Sequence, residues 1–198
     1  MAKGNGSSSL DDLSARALEI AKRRQAAATA AVSLLEDRYE TTFEAHAGTL
    51  LRAMAWLAGT SLYRSFGLPA DIPPGSPVLS DQSNEQAPML LKAFMFLIDR
   101  YGVKVQPEEV AAEIPAEHRP RTDILTVQSQ FQHQYNETMK QNGFDFLEGG
   151  KAGAVACAQL VRLHCQDRSD LLPAIAVSTV SMGFVEGSKT APAPLRSS

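Results

Sequence analysis

The segment 149–165 places small residues at intervals of four, at Gly149, Gly153 and Cys157. In an α-helix, residues four apart lie on one face, and His164 falls on the same stripe. Small side chains allow a second helix to approach closely, at a propensity cost of about 1 kcal/mol for each glycine. The segment therefore favours a helical core in which one imidazole and one thiol face a neighbouring helix.

A second stripe of small residues occurs earlier in the chain, at Gly48, Ala55 and Gly59. These residues also share a helical face, and the helix that carries them is apolar around most of its circumference. A helix of this kind is expected to be buried. We therefore predict that this helix and the segment 149–165 cross closely in the core.

The spacing of apolar residues predicts an all-α fold, a bundle of six or seven helices. Helix starts are indicated by capping residues, and helix ends by glycine or proline. The predicted helices cover residues 9–38, 49–66, 85–101, 107–114, 121–142, 149–165 and 170–186, with a kink or a short turn between 39 and 48.

The segment 67–84 contains Pro69, Pro73, Pro74 and Pro77, so no helix can run through it. It is longer than most connections in compact domains. We predict one long Pro-rich crossover loop that spans the bundle, with a lid or binding loop as the alternative.

The chain has 198 residues, enough for one substantial core. We expect a disordered N-terminus at 1–8, a single α-helical domain at 9–187 and a disordered C-terminal tail at 188–198. The tail is expected from its polar and proline-rich composition.

Cys157 and Cys165 are eight residues apart on one predicted helix, or about 12 Å. This exceeds the span of a disulfide, so both are expected to be reduced thiols in a cytoplasmic protein. The polar residues 1–9 do not resemble a secretory signal. No apolar run reaches the roughly 20 residues of a transmembrane helix, so we expect no membrane partner.

Residues 58–66 resemble the recognition-helix region of TetR-type repressors, in which a Gly-Val-Ser turn precedes a Leu-Tyr-x-x-Phe segment. The resemblance covers Gly59, Leu62, Tyr63 and Phe66 and implies a DNA-binding helix. However, the helix before Gly59 continues without the required break. The net charge is −3, whereas nucleic-acid binders usually have a basic face. We therefore expect no nucleic-acid partner.

A di-metal site in a helical bundle requires glutamates from several helices and Glu-x-x-His sequences. None of the four histidines has a glutamate three residues before it. Glu36, Glu40 and Glu44 recur at helical spacing, and we interpret them as a solvated acidic stripe. The sequence thus predicts no metal site, no cofactor and no catalytic residue.

His164 and Cys157 are the candidate residues for a pocket, because both lie on the small-residue stripe. A Cys–His nucleophile pair also needs an orienting partner and an oxyanion site. The sequence indicates neither of these. We interpret His164 as a buried histidine that is hydrogen-bonded to a neighbouring helix.

The segments 50–57 and 90–97, LLRAMAWL and LLKAFMFL, are identical at four of eight positions. The match places Trp56 opposite Phe96 and predicts that both lie at an edge of the bundle. Met89 and Phe96 fall on a charged side of their helix, as is common at contact surfaces. Trp56, Met89 and Phe96 are therefore the candidate interface.

Two functional classes follow from these patterns. The first is a non-enzymatic interaction or scaffold protein that forms a homodimer, with the long first helix as one possible contact. The alternative is a bundle that binds a small molecule or a metal near His164, and an enzyme is one form of this alternative.

Overall fold

The computed structural model describes residues 7–69, 71–110 and 113–195, and the chain forms six α-helices in these ranges. The expected all-α bundle is confirmed. The helices are α1 Ser7–Glu36, α2 Ala47–Ser65, α3 Asp81–Arg100, α4 Ile124–Gln141, α5 Phe146–Arg162 and α6 Pro173–Lys189. Two 3-10 turns at Pro107–Glu109 and Ala116–His118 precede α4, and a π-helical segment, Leu163–Asp167, extends α5.

Helix α2 is the centre of the bundle. Every residue from Ala47 to Tyr63 is buried, as the apolar pattern of this segment predicts. Arg52 is also buried, with 3% of its surface exposed. A charged side chain at such a position needs a partner, and the partner lies on α6, as described below.

The predicted close approach of α2 and α5 is confirmed, but the contacting residues differ. A Cβ built on Gly153 would lie 2.5 Å from the Cβ of Ala58, so the crossing requires glycine at this point. Gly59 instead faces Gly187 of α6, and Gly48 lies against the backbone of His118. The small residues of α2 thus serve two helix crossings and one loop contact.

Helix α1 is 30 residues long, or about 45 Å, and only part of it lies on the body of the molecule. Residues 12–22 are exposed, whereas Ala27, Ala28, Ala31 and Leu35 are fully buried. The predicted turn between α1 and α2 is confirmed at residues 37–46. His46 ends this turn by capping α2, since its Nδ1 accepts from the backbone N–H of Thr49.

The C-terminal segment corrects one expectation. Residues 188–195 were expected to belong to a disordered tail, but Ser188 and Lys189 complete α6 and Thr190 forms an antiparallel bridge with Pro77. Ala191 is 1% exposed and exchanges backbone hydrogen bonds with the α2–α3 connection. Residues 188–195 are therefore part of the domain, and residues 196–198 lie outside the described ranges.

Several helix boundaries also differ from the predicted ones. α3 begins at Asp81 because the Ser80 side chain accepts from the backbone N–H of Ser83. The final helix begins at Pro173 and not at 170, because Leu172 is extended, as a residue before proline tends to be, and proline favours the first helical position. The predicted helix 107–114 contains one 3-10 turn, with residues 111 and 112 outside the described ranges. Of the expected disordered start, residues 7 and 8 belong to α1 and residues 1–6 are outside those ranges.

Candidate functional site

His164 lies in the π-helical segment Leu163–Asp167, directly after α5. Its side chain is fully buried. A π-helical turn is wider than an α-helical one and is frequent at functional sites. The ring of His164 packs against the ring of Tyr39, with centroids 5.3 Å apart.

Both ring nitrogens of His164 face carboxylates. Nδ1 lies 2.9 Å from Oδ1 of Asp170, a hydrogen-bond distance. Nε2 lies 3.6 Å from Oε1 of Glu36, which is longer than a hydrogen bond. Neither Nε2 nor this Oε1 has a hydrogen-bond partner within the described residues, although both atoms are buried. A ring protonated on both nitrogens would present an N–H to each carboxylate.

Arg168 and Tyr39 complete the cluster. Arg168 forms an ion pair with Glu36, 2.7 Å between Nη2 and Oε2, and its guanidinium stacks 4.9 Å above the Tyr39 ring. Burial, followed by the negative charge of Asp170, raises the pKa of Tyr39. The cluster therefore ties the end of α1 to the end of α5. We call these five residues (Glu36, Tyr39, His164, Arg168 and Asp170) the histidine cluster.

His164 is buried as expected, but its hydrogen bond is to Asp170, in the loop after its own helix, and not to a neighbouring helix as predicted. Asp170 reaches the ring because the chain turns back at Ser169, where the Asp170 N–H donates to the His164 carbonyl over 3.0 Å. Glu36 belongs to the stripe interpreted as solvated, yet its side chain is 20% exposed. The carboxylates lie at opposite ring nitrogens, and the described residues contain no group of three ligands suited to a metal ion.

The two cysteines are poorly placed for nucleophilic chemistry. Cys157 is fully buried, and burial raises its pKa well above the usual value. Burial and the charge of Asp170 raise the pKa of Cys165 to about 12. Only a thiolate is a strong nucleophile, so both thiols are unreactive near neutral pH. Cys157 also lies seven residues before His164, about 10 Å along the helix.

The three candidate interface residues differ in exposure. Phe96 is 61% exposed and lies beneath the Arg100 guanidinium, whereas Met89 is half-buried. Trp56, expected at an edge, is 4% exposed, and its Nε1–H donates to Glu186 Oε2 over 2.6 Å. The expectation for Trp56 is thus corrected: the resemblance of 50–57 to 90–97 does not extend to its burial.

Arg52, Trp56 and Glu186 form a second polar cluster, between α2 and α6. Arg52 Nη1 donates to Glu186 Oε2 over 3.1 Å, and the guanidinium lies 5.9 Å from the Trp56 ring. Burial lowers the pKa of Arg52, and the Glu186 carboxylate offsets part of that effect. The Glu186 side chain remains 45% exposed, so one end of the pair reaches the surface.

The surface next to this pair contains a cavity of about 470 Å³ between α3 and α6. Cavities of roughly 300–1,000 Å³ are typical of small-molecule sites. Its walls are mainly apolar and include Ala87, Pro88, Leu91, Met182, Phe184 and Val185. Its polar lining residues are Ser83, Asn84, Ser181, Glu186 and Lys189. This cavity could not be predicted from the sequence, because it depends on how α3 and α6 pack, and 72 residues separate the end of α3 from the start of α6.

Comparison with models of protein families, with curated proteins and with solved structures gave no match to this chain. Every helix in the described part of the chain is too short or too polar to cross a lipid bilayer.

Proposed function

We propose that this chain is a non-enzymatic interaction module that forms a homodimer through the outer half of α1, defined as residues 12–22. One observation carries the proposal. Leu13 is 59% exposed and Ile20 is 42% exposed, on a helix segment that extends beyond the body of its own chain. An apolar stripe on an unpaired helix favours association with another helix.

The stripe continues a face that is already used for packing. Successive helical residues turn by about 100°, so Leu13, Ala17 and Ile20 fall on the same face as Ala27 and Ala31. Those two alanines are fully buried against the rest of the bundle. This face, the seam, thus extends from the core to the projecting turns. Arg24 interrupts it at the edge of the core, where it pairs with Glu148 of α5, and a second copy can cover the outer part.

The charges beside the stripe favour an antiparallel pair. Asp12, Arg16, Glu19 and Arg23 lie along one flank and alternate in sign. When two copies run in opposite directions, Arg16 of one copy comes near Glu19 of the other. Asp12 comes near Arg23, whose guanidinium already donates to the Asn142 carbonyl of its own chain, so the pair of Arg16 and Glu19 is the stronger argument. In a parallel pair this flank would fall on opposite sides of the contact in the two copies, so the two rows of charges would not meet. Arg16 and Glu19 are exposed and form no ion pair within the described residues.

This seam is short, and association costs at least about 4 kcal/mol in lost freedom of movement. We therefore expect a reversible dimer with a dissociation constant on the order of 10–100 μM. The free thiols Cys157 and Cys165 are consistent with a cytoplasmic protein. A ligand site near His164 has less support, because the buried ring is already held between carboxylates.

Sedimentation equilibrium of the full chain would test the proposal. Leu13→Glu should make the protein monomeric, because it places a charge in the seam. Leu18→Glu is the matched control: Leu18 is 57% exposed on the same segment but lies about 140° away around the helix. A monomeric wild-type chain at about 1 mM, well above the expected dissociation constant, would overturn the proposal. Equal effects of the two variants would do the same.

The orientation has its own test. Arg16→Glu should weaken the dimer, because it places two acidic side chains together in the antiparallel pair. Adding Glu19→Arg should restore it by recreating the unlike pair with the signs exchanged. If the double variant dimerises no more tightly than Arg16→Glu alone, the antiparallel arrangement is wrong.

A further inference from the structure

The cavity between α3 and α6 has a volume and a largely apolar lining that are typical of ligand sites. Phe184 and Ala87 form its floor, as both are buried, and Val185 and Met182 are 49% and 40% exposed at its side. The cavity combines buried apolar walls with an exposed apolar rim. Its apolar surface therefore stays in contact with water unless an apolar ligand covers it. An aliphatic chain is the occupant that this wall favours.

The net charge of the cavity lining is positive once the ion pairs within the protein are taken into account. Glu186 is neutralised by Arg52 and also accepts from the Trp56 N–H, both at Oε2. Lys189 lines the same cavity and forms no ion pair within the described part of the chain. One cation therefore remains uncompensated beside an apolar groove.

We propose that the cavity between α3 and α6 binds an aliphatic monocarboxylate, with its chain against Phe184 and Leu91 and its carboxylate paired with Lys189. This arrangement matches both features of the site, since the apolar chain covers the wall and the anion balances the free ammonium. The proposal is independent of dimerisation, because none of the described α1 side chains, from residue 12 onward, lines the cavity.

Trp56 provides a direct readout of binding. It is the single tryptophan of the chain, and its indole N–H is hydrogen-bonded to Glu186, which lines the cavity. A carboxylate that settles beside Lys189 changes the electrostatic field around Glu186 and hence the emission of the indole. Titration with dodecanoate should give a saturable change in Trp56 fluorescence.

The neutral analogue dodecanol tests the role of charge, since it has the same chain without a carboxylate. Dodecanoate should bind the wild-type protein about tenfold more tightly than dodecanol, as expected for one charge-assisted contact. Lys189→Met should remove that preference, while Lys189→Arg should keep it. Lys92→Met is the matched control, because Lys92 is an exposed lysine of α3 that does not line the cavity.

Val185→Phe tests separately where the aliphatic chain of the ligand binds. Val185 is half exposed, so the larger side chain can fill the groove without entering the core. This variant should lose binding of both ligands while its melting temperature stays near the wild-type value. Equal affinities for dodecanoate and dodecanol, no loss in Val185→Phe, or no saturable signal with dodecanoate would each overturn the proposal. Repeating the titration with monomeric Leu13→Glu should give the same affinity, which separates this site from the dimer seam.

Discussion

Gly59 and Gly187 lie face to face where α2 crosses α6. A Cβ built on Gly187 would lie 2.9 Å from the Cα of Gly59 and 2.7 Å from the carbonyl oxygen of Trp56. Real Cβ atoms do not approach backbone this closely, and neither helix backbone can move without disturbing the other. The crossing therefore depends on the absence of two side chains, and it also holds Trp56 beside α6.

Gly187→Ala should destabilise the protein even though alanine is the better helix former. The propensity gain is about 1 kcal/mol, whereas overpacking against backbone costs about 1–3 kcal/mol or more. We expect a net loss of about 1–2 kcal/mol in the free energy of unfolding. Urea denaturation followed by circular dichroism would measure it.

Gly149→Ala is the control for this variant. A Cβ at Gly149 would lie 3.3 Å from the Cγ of Met139, a side-chain atom that would have to shift by only a few tenths of an ångström. This substitution should leave stability unchanged or improve it. Equal effects of Gly187→Ala and Gly149→Ala would show that the α2–α6 crossing has more room than the structure indicates.

Asp170→Ala should destabilise the histidine cluster, because it leaves the buried Nδ1 of His164 without its acceptor. A buried donor without a partner costs about 1–3 kcal/mol. Asp167→Ala is the matched control, since Asp167 is an exposed aspartate of the same segment. Urea denaturation should show a loss for the first variant and little change for the second.

A double-mutant cycle would show whether the loss arises from the ring itself. In a His164→Gln background, Asp170→Ala should cost less than in the wild type, with a coupling energy of at least about 0.5 kcal/mol. Additive losses would mean that Asp170 acts on the loop and not through His164.

The bundle could be predicted from the sequence because local signals agree. Apolar residues recur at helical spacing, and prolines and glycines lie between the resulting segments. The partner of Gly59 could not be predicted, since Gly153 and Gly187 lie on different helices and both offer a small surface. The packing of Ala191 against the α2–α3 connection could not be predicted either. Short Pro- and Ala-rich segments have no periodicity that distinguishes a segment packed on the domain from a disordered one.

The candidate site was predictable only in part. The small-residue stripe correctly indicated that His164 is buried. Its acceptor Asp170 depends on the positive φ of Ser169, and serine is not a residue that signals this conformation. Glu36 comes from a helix distant in sequence, so only the tertiary fold brings it to the ring.

Cys165 should react slowly with an aromatic disulfide reagent in the native protein. Its pKa of about 12 leaves little thiolate at neutral pH, and burial and the charge of Asp170 are the causes. Asp170→Asn should therefore speed the reaction by lowering that pKa. Absorbance at pH 8, combined with mass spectrometry to identify the labelled cysteine, would measure the rates. Rapid native labelling at Cys165 would contradict the placement of this thiol.

Glu148 should make the stability of the protein depend on acid pH. Burial raises the pKa of Glu148, but hydrogen bonds from Lys151 and Arg24 outweigh this effect and lower it overall. A carboxyl group with a lower pKa in the folded state binds fewer protons there than in the unfolded chain. Its contribution to stability is therefore complete above the unfolded pKa, about 4.3, and is lost as the pH falls through the folded value.

Glu148→Gln should accordingly be less stable than the wild type at neutral pH, by about 1 kcal/mol. The difference should shrink as the pH falls below about 4, because the wild-type side chain becomes neutral as well. Urea denaturation of both proteins across this range would test the sign. Glu137→Gln is the control, since Glu137 and Lys140 are 3.9 Å apart at an exposed site and should show almost no difference at any pH. A gap between Glu148→Gln and the wild type that widens in acid would mean that the ion pairs of Glu148 do not stabilise the fold.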